Sequence, residues 1–519
     1  MKLNQKIYDI KMAFLEACKK YQNNIALKLE DKVISYKDLY LKAVSLIYAI
    51  EKQHNNCSMV GIMSQRNEAA FISVAASVIA QKTYVPLNPR FPDNRLKSMI
   101  VTSGLELIVT DSQNKQKLVN IVKLIERNII IINYDDIQQL LFQDYSHLTT
   151  IDPSFDKNRI CYLLFTSGST GIPKGVPISN DNLCSFLSNA NRCFPIDEND
   201  ILSQTFDLSF DLSMFDIFMS WLNGATLCVM SSLELLNPTD YIIRNKITLW
   251  FSVPSLIANV KALKKYNNLY SVRLSLFCGE ALYLSDILFW QSIAPKSLIK
   301  NLYGPTEATI ACSSYKWNNK SKQECSEGII SIGKIFKNLK YIILKEDYKT
   351  EASIGELGEL CLAGPQIFKG YIGTTQNPFI DFQGISYYKT GDLVYKTENQ
   401  NIMYVTRRDN QVKIGGHRVE LGEIESVIKS IPNVIQVAVL LSENQINHES
   451  RTPVAFIKGE NIKSQQIIDI LKSKLPQYMV PKNIYIIDIM PLNSNGKIDK
   501  IELKRMLEQI NNHKEAEYA

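Results

Sequence analysis

Apolar residues along this chain follow two alternating rhythms. Short apolar runs bounded by Gly, Pro, Asn or Asp read as buried strands: "SMVGIM" (58–63), "TYVPLN" (83–88), "LELIVTD" (105–111), "ITLWFSVP" (247–254) and "LSLFCG" (274–279). Between them lie longer stretches with apolar residues at helical spacing, such as "SYKDLYLKAVSLIYAI" (35–50) and "AAFISVAASVIAQ" (69–81). Ser35 and Asp38 have the spacing of a capping box at the first of these helices. Near the N-terminus Ile7, Ile10, Phe14 and Cys18 fall on one helical face. Strand alternating with helix predicts α/β layers around parallel sheets, continuing to about residue 400. "KWNNKSKQECSEG" (316–328) is polar and predicts a surface loop.

The rhythm changes near "YVTRRDNQVKIGGHRVE" (404–420). After it the pattern predicts a helix at 421–430, strands at 434–441 and 453–459, a helix at 464–475 and a strand at 483–488. This is a small α/β unit, and the boundary places a hinge at Asp409. Residues 1–408 form a large N-terminal domain and residues 409–519 a small C-terminal one. A chain of 519 residues is too long for one compact core, which fits this division.

Composition adds mostly exclusions. Hydrophobic content of 45% and charged content of 21% are those of a globular chain, and the net charge of +6 is not gathered into a basic block, so no nucleic-acid partner is expected. No apolar run reaches the roughly 18–20 residues that span a bilayer, and no signal-peptide core is present, so a cytoplasmic location with no membrane partner is expected. The ten cysteines lie apart, without metal-ligand spacing, and are expected as reduced, buried thiols. The five histidines are also dispersed and suggest no catalytic cluster.

"LLFTSGSTGIPKGVPIS" (163–179) carries the chemistry. Its hydroxyls, glycine amides and single lysine suit a loop around phosphates, yet Lys174 is followed by Gly175 and Val176, unlike the familiar Gly-Lys-Ser/Thr phosphate loop. The stretch resembles the phosphate loop of the adenylate-forming superfamily, the AMP-binding acyl-CoA synthetases, luciferases and adenylation domains. Further matches follow in the family's order: "NLYGPTEATI" (301–310), "YKTGDLV" (388–394), "TRRD" (406–409), "QVKIGGHRVELGEIE" (411–425) and "PLNSNGKIDK" (491–500). The resemblance implies a large α/β adenylate-forming domain of layered subdomains and a small mobile α/β domain.

It also implies roles. Thr166, Ser167, Gly168, Ser169, Thr170, Gly171 and Lys174 would surround the phosphates of ATP. Gly279, Leu302, Gly304 and Pro305 would lie along the nucleotide. Asn301 would meet the adenine edge, Tyr303 would stack on its face, Thr306 would touch the α-phosphate, and Glu307 would hold Mg²⁺. Asp392 would accept the ribose hydroxyls and Arg407 would make a second ribose contact, although Thr406 stands where the family usually has Gly. Lys497 would be the catalytic lysine, bridging carboxylate and α-phosphate. Gly415 and Gly416 would line a tunnel for a phosphopantetheine thiol, with Gly415 replacing a frequent Arg.

Alignment to the amino-acid-activating members places Asp211 against the substrate ammonium, within "TFDLSFDLSMFDIFMSWLNGATL" (205–227). Asp207 lies in a similar "FDLS", which leaves two registers; the continuation favours Asp211. The implied pocket is Phe210, Leu212, Phe215, Ser255, Leu276, Cys278, Leu302, Ile310 and Ala311. It offers a charged side chain no partner, and Phe215 and Leu302 oppose large aromatics, so a small apolar amino acid is expected. Resemblance to stand-alone L-proline–carrier protein ligases puts L-proline first, in secondary metabolism. D-alanine–carrier protein ligase is the alternative, and a carboxylic acid–CoA ligase the rival outside amino acids. No carrier domain follows Lys497, so the acceptor is expected to be a separate phosphopantetheinylated carrier protein.

Overall fold

The computed structural model describes residues 7–137, 156–167, 173–263, 266–318, 324–409, 411–442, 452–492 and 498–518. The chain divides into two compact units. The second consists of Arg90–Arg95, Thr166–Pro173 and Asp409–Ala519, and the first holds the rest.

Among the described residues the first unit carries a nine-stranded, a six-stranded and a five-stranded sheet. The six-stranded sheet contains the expected runs as the parallel strands Met59–Met63, Thr83–Pro86 and Leu107–Thr110. The helix Glu68–Ile79 is buried at nearly every position, which is why its sequence is apolar all round rather than on one stripe. Asn67 caps it by accepting from the Ala70 amide.

The nine-stranded sheet matters most for function. Its strands Ile201–Gln204, Leu249–Ser252, Leu274–Phe277 and Leu298–Tyr303 are neighbours and parallel. Register is in step along this edge, with Ser252 beside Phe277 and Phe277 beside Asn301. Their carboxyl ends therefore finish level, where open α/β sheets place ligands.

Three expectations need correction. The parallel pattern does not run to residue 400; it ends at Tyr303. Ser313–Lys316 returns antiparallel, and Lys340–Leu344, Gly358–Ala363, Phe379–Phe382, Ile385–Lys396 and Ile402–Arg407 form a wholly antiparallel sheet. Among the described residues no helical segment lies between these strands to make a parallel crossover. Within 316–328, Trp317 is buried and Cys325–Ser326 pairs with Ile329–Ile330, so the stretch is not simply a surface loop. At Ser35 the cap is one-sided: its hydroxyl accepts from the Asp38 amide and donates to the Asp38 carboxylate. Ile7 is buried as expected, though the helix itself begins at Ile10.

The second unit has the predicted order. The helix Leu421–Lys429, strands Val434–Leu441 and Pro453–Gly459, helix Ser464–Lys474 and strand Asn483–Ile486 build a three-stranded sheet over a core of Ile424, Ile428, Ile467 and Leu471.

All ten cysteines are free and eight are buried. Burial pushes the thiols of Cys18, Cys161 and Cys361 up to about 12. Asp216 is the anomaly of the core: it is fully buried, and neither carboxylate oxygen has a hydrogen-bond partner among the described residues. Burial raises its pKa well above the usual range, against the opposing pull of the Arg66 charge. A folded-state pKa raised above the unfolded value of about 4 means that stability falls as pH rises past that value. Asp216→Asn is expected to raise the melting temperature, with a larger gain at pH 8 than at pH 5. An equal gain at both would contradict a protonated Asp216.

Candidate active site

The level strand ends deliver the expected residues to one edge. Asp211 follows the strand Ile201–Gln204, Ser255 follows Leu249–Ser252, Cys278 and Gly279 follow Leu274–Phe277, and Asn301 to Glu307 close and follow Leu298–Tyr303. Leu212, Phe215, Leu276, Cys278, Leu302, Ile310 and Ala311 are all buried, whereas Phe210 and Ser255 are half-buried. Phe215 is wedged edge-on among Phe186, Phe194 and Phe251, so its ring has a fixed place.

Asp211 is 7% exposed and stands at the start of the helix Leu212–Trp221, yet its side chain makes no cap bond to that helix. Asp207, the other register, spends one oxygen on the amide and hydroxyl of Ser209.

The nucleotide residues show more. Asn301 is buried, and its amide nitrogen donates to the carbonyls of Ile330 and Ser331. Its Oδ1 has no partner among the described residues. A buried acceptor left open costs roughly 1–3 kcal/mol, which a donor such as an exocyclic amine would offset. The Tyr303 hydroxyl donates to Asp392, and Arg407 donates to the other oxygen of Asp392 at 2.7 Å and to the Thr390 carbonyl. Burial and the Asp392 charge push the Tyr303 hydroxyl well up, so it remains a donor. A carboxylate has about four acceptor sites, and this arrangement leaves Asp392 two more.

Glu307 is fully buried, and its Oε1 accepts from the Tyr371 hydroxyl at 2.7 Å. A single buried carboxylate suits Mg²⁺, which keeps waters and leans on phosphates rather than on a protein cage. Lys174 is buried, lies 4.7 Å above the Tyr371 ring and donates to Gln376. Pro305 begins the turn, Thr306–Ala308 is a short 3₁₀ turn, and Gly304 must be glycine because a Cβ there would lie 2.6 Å from the Ala311 Cα. Thr309 and Ile310 follow with φ of 58° and 70°. Consecutive β-branched residues in the left-handed region are strained, on the order of 1–3 kcal/mol each.

In the second unit, Thr166 Oγ1 is buried with no partner among the described residues, and Ser167 is buried. Gly415 and Gly416, at φ 54° and 80°, form the two-residue turn between Gln411–Ile414 and His417–Glu420. Two positive φ values are what this hairpin requires. Asp409 accepts from the Gln411 amide. Gly168, Ser169, Thr170, Gly171 and Lys497 lie outside the described residues.

Reasoning on the sequence missed Tyr371 and Gln366, both in "LAGPQIFKGY" (362–371). The signal was present as a Gly/Pro-rich stretch after a strand, but only the fold shows that it packs on the turn after Tyr303.

Residues 14–372 match the AMP-binding enzymes, and residues 423–497 match the AMP-binding enzyme C-terminal domain. The chain belongs to the AMP-binding enzymes. This AMP-binding enzyme is 30% identical to Zwittermicin A synthase ZmaJ of Bacillus cereus over 513 residues, 95% of this chain and 94% of ZmaJ. It is also 30% identical to Bacitracin synthase 1 of Bacillus licheniformis, of which it spans only 9%. The crystal structure of the Vibrio cholerae adenylation domain AlmE, in complex with glycyl-adenosine-5'-phosphate, superposes with a TM-score of 0.87 at 29% identity, covering 97% of this chain and 98% of that one. The expected α/β adenylate-forming architecture, a large domain with a small C-terminal one, is therefore met. No helix among the described residues is long and apolar enough to cross a membrane.

Proposed function

We propose that this protein activates a small apolar amino acid with ATP and passes it to the phosphopantetheine thiol of a carrier protein. The observation that carries this reading is Asp211, a buried carboxylate at the edge of the parallel sheet with no role in capping its own helix. A CoA ligase acting on uncharged acids has no use for such a group, whereas a buried ammonium needs one.

In the first step a substrate carboxylate oxygen attacks the α-phosphorus of ATP, forming the acyl-phosphate bond as the bond to pyrophosphate breaks. Asn301 Oδ1 accepts from the adenine amine, Asp392 accepts from the ribose, and Arg407 and Tyr303 keep its carboxylate oriented. Glu307 is the residue that would hold Mg²⁺, oriented by Tyr371; the cation, when bound, neutralises phosphate charge. The loop 166–171 and Lys174 bind the departing pyrophosphate, and Lys497 bridges the carboxylate and α-phosphate. In the second step the carrier sulfur attacks the carbonyl carbon, AMP leaves, and the thiol proton is released. Asp409 serves as hinge for this exchange of roles, and Gly415 and Gly416 border the thiol's path.

L-Proline is the first candidate substrate, because the pocket is uncharged and, Ser255 aside, apolar around one carboxylate. A second reading is glycine, favoured by the glycyl adenylate held by AlmE and by the bulk of Phe215 and Leu302. Pyrophosphate release measured across the twenty L-amino acids and D-alanine tests both. A sharp response to proline or glycine supports the reading. A response only to uncharged acids with CoA sinks it.

A further inference from the structure

We infer that Gln366 is a positioning residue that sets amino-acid selectivity by clamping the strained turn Thr309–Ile310. This rests on the reading that Ile310 and Ala311 line an amino-acid pocket.

Gln366 is fully buried and every polar atom of its side-chain amide is engaged. Its nitrogen donates to the Ala308 carbonyl at 3.2 Å and the Ala311 carbonyl at 2.9 Å, bracketing the two left-handed residues. Its main-chain carbonyl accepts from the Thr309 hydroxyl at 2.6 Å. Its Oε1 accepts from Asn189 at 2.9 Å, and Asn189 also donates to Asn338, which donates to Ser185. Asn189 and Ser185 stand on the helix Asn180–Cys193, so the clamp is anchored to a rigid element.

The turn holds itself only weakly. Ala311 donates back to the Thr309 carbonyl across Ile310, the bond of a rare and strained γ-turn, and Cys312 donates to Tyr303, but neither fixes φ at Thr309. Were Ile310 to relax to negative φ, its Cβ direction would change, and with it the pocket wall. Glu307, on the same turn, has separate supports: the Phe368 amide donates to its carbonyl and Tyr371 to its carboxylate. Loss of the Gln366 amide should therefore disturb amino-acid choice and spare ATP.

The test compares Gln366→Leu, Gln366→Glu and Thr309→Val with the wild-type full chain. Selectivity is read as the ratio of kcat/KM for the preferred amino acid to that for the next smaller or larger one. In Gln366→Leu this ratio should fall at least about tenfold, the scale of a misfitted methylene. The KM for ATP should stay within about threefold, and Thr309→Val should shift the ratio in the same direction by less. Amide hydrogen exchange at Thr309, Ala311 and Cys312 should quicken in Gln366→Leu and Gln366→Glu. An unchanged ratio, or an equal loss for ATP and every amino acid, overturns the inference. So does unchanged amide exchange. If the Gln366 variants do not fold, Thr309→Val, which loses only the bond to the Gln366 carbonyl, carries the same two readouts. A wild-type chain that activates no amino acid sinks the adenylation reading instead, and amide exchange alone then judges the clamp.

Discussion

Asp211→Ala is expected to abolish amino-acid-dependent pyrophosphate exchange while leaving ATP binding close to that of the wild type. The carboxylate is 7% exposed and makes no cap bond to the helix it begins, so its removal should not unravel that helix. On the proposed reading, what it removes is the counter-charge for a buried ammonium. Breaking a buried pair on one side costs roughly 3–5 kcal/mol, equivalent to a fall of about 10²–10⁴ in kcat/KM. Titration calorimetry with a non-hydrolysable ATP analogue separates the two effects. Retained turnover would move the ammonium to Asp207, whose oxygen is already shared between the amide and hydroxyl of Ser209.

Lys497→Ala is the second large effect, and it should split the reaction in two. The lysine's assignment comes from its place in "PLNSNGKIDK", and in the proposed mechanism its charge is needed only while pyrophosphate departs. By comparison with loss of an oxyanion donor, adenylation should slow by about 10²–10³, or roughly 3–4 kcal/mol. Transfer of chemically made aminoacyl-AMP to a carrier thiol should continue within about threefold of the wild-type rate. Single-turnover measurements of the two half-reactions decide it. Equal loss of both halves would make Lys497 a structural residue, and normal exchange would place the catalytic cation elsewhere.

Much of this was readable from the chain before any fold was known. Runs such as "LSLFCG" declare themselves because a strand covered on both faces must be apolar throughout. The helix and strand order after Asp409 follows from clean periodicity in short elements. The antiparallel sheet from Lys340 to Arg407 was not legible as such, since an apolar run does not reveal the direction of its neighbour. The same limit applies at the site. Asn301, Asp392 and Glu307 stand in recognisable motifs, but the use of Tyr303 and Arg407 to hold Asp392 depends on a pairing that brings Asp392 beside Arg407 across two antiparallel strands. Gln366 was invisible for a related reason. Its partners lie 55 and 177 residues away in sequence, at Ala311 and Asn189, and no local pattern encodes such a meeting.

The buried sulfurs carry a last consequence. A mixed anhydride acylates whichever sulfhydryl anion reaches it first. With Cys18, Cys161 and Cys361 titrating near 12, only about one such group in 10⁵ is ionised at neutral pH. On the proposed reading, in which the product is a thioester on a carrier's sulfur, burial keeps these three thiols from competing for the acyl group.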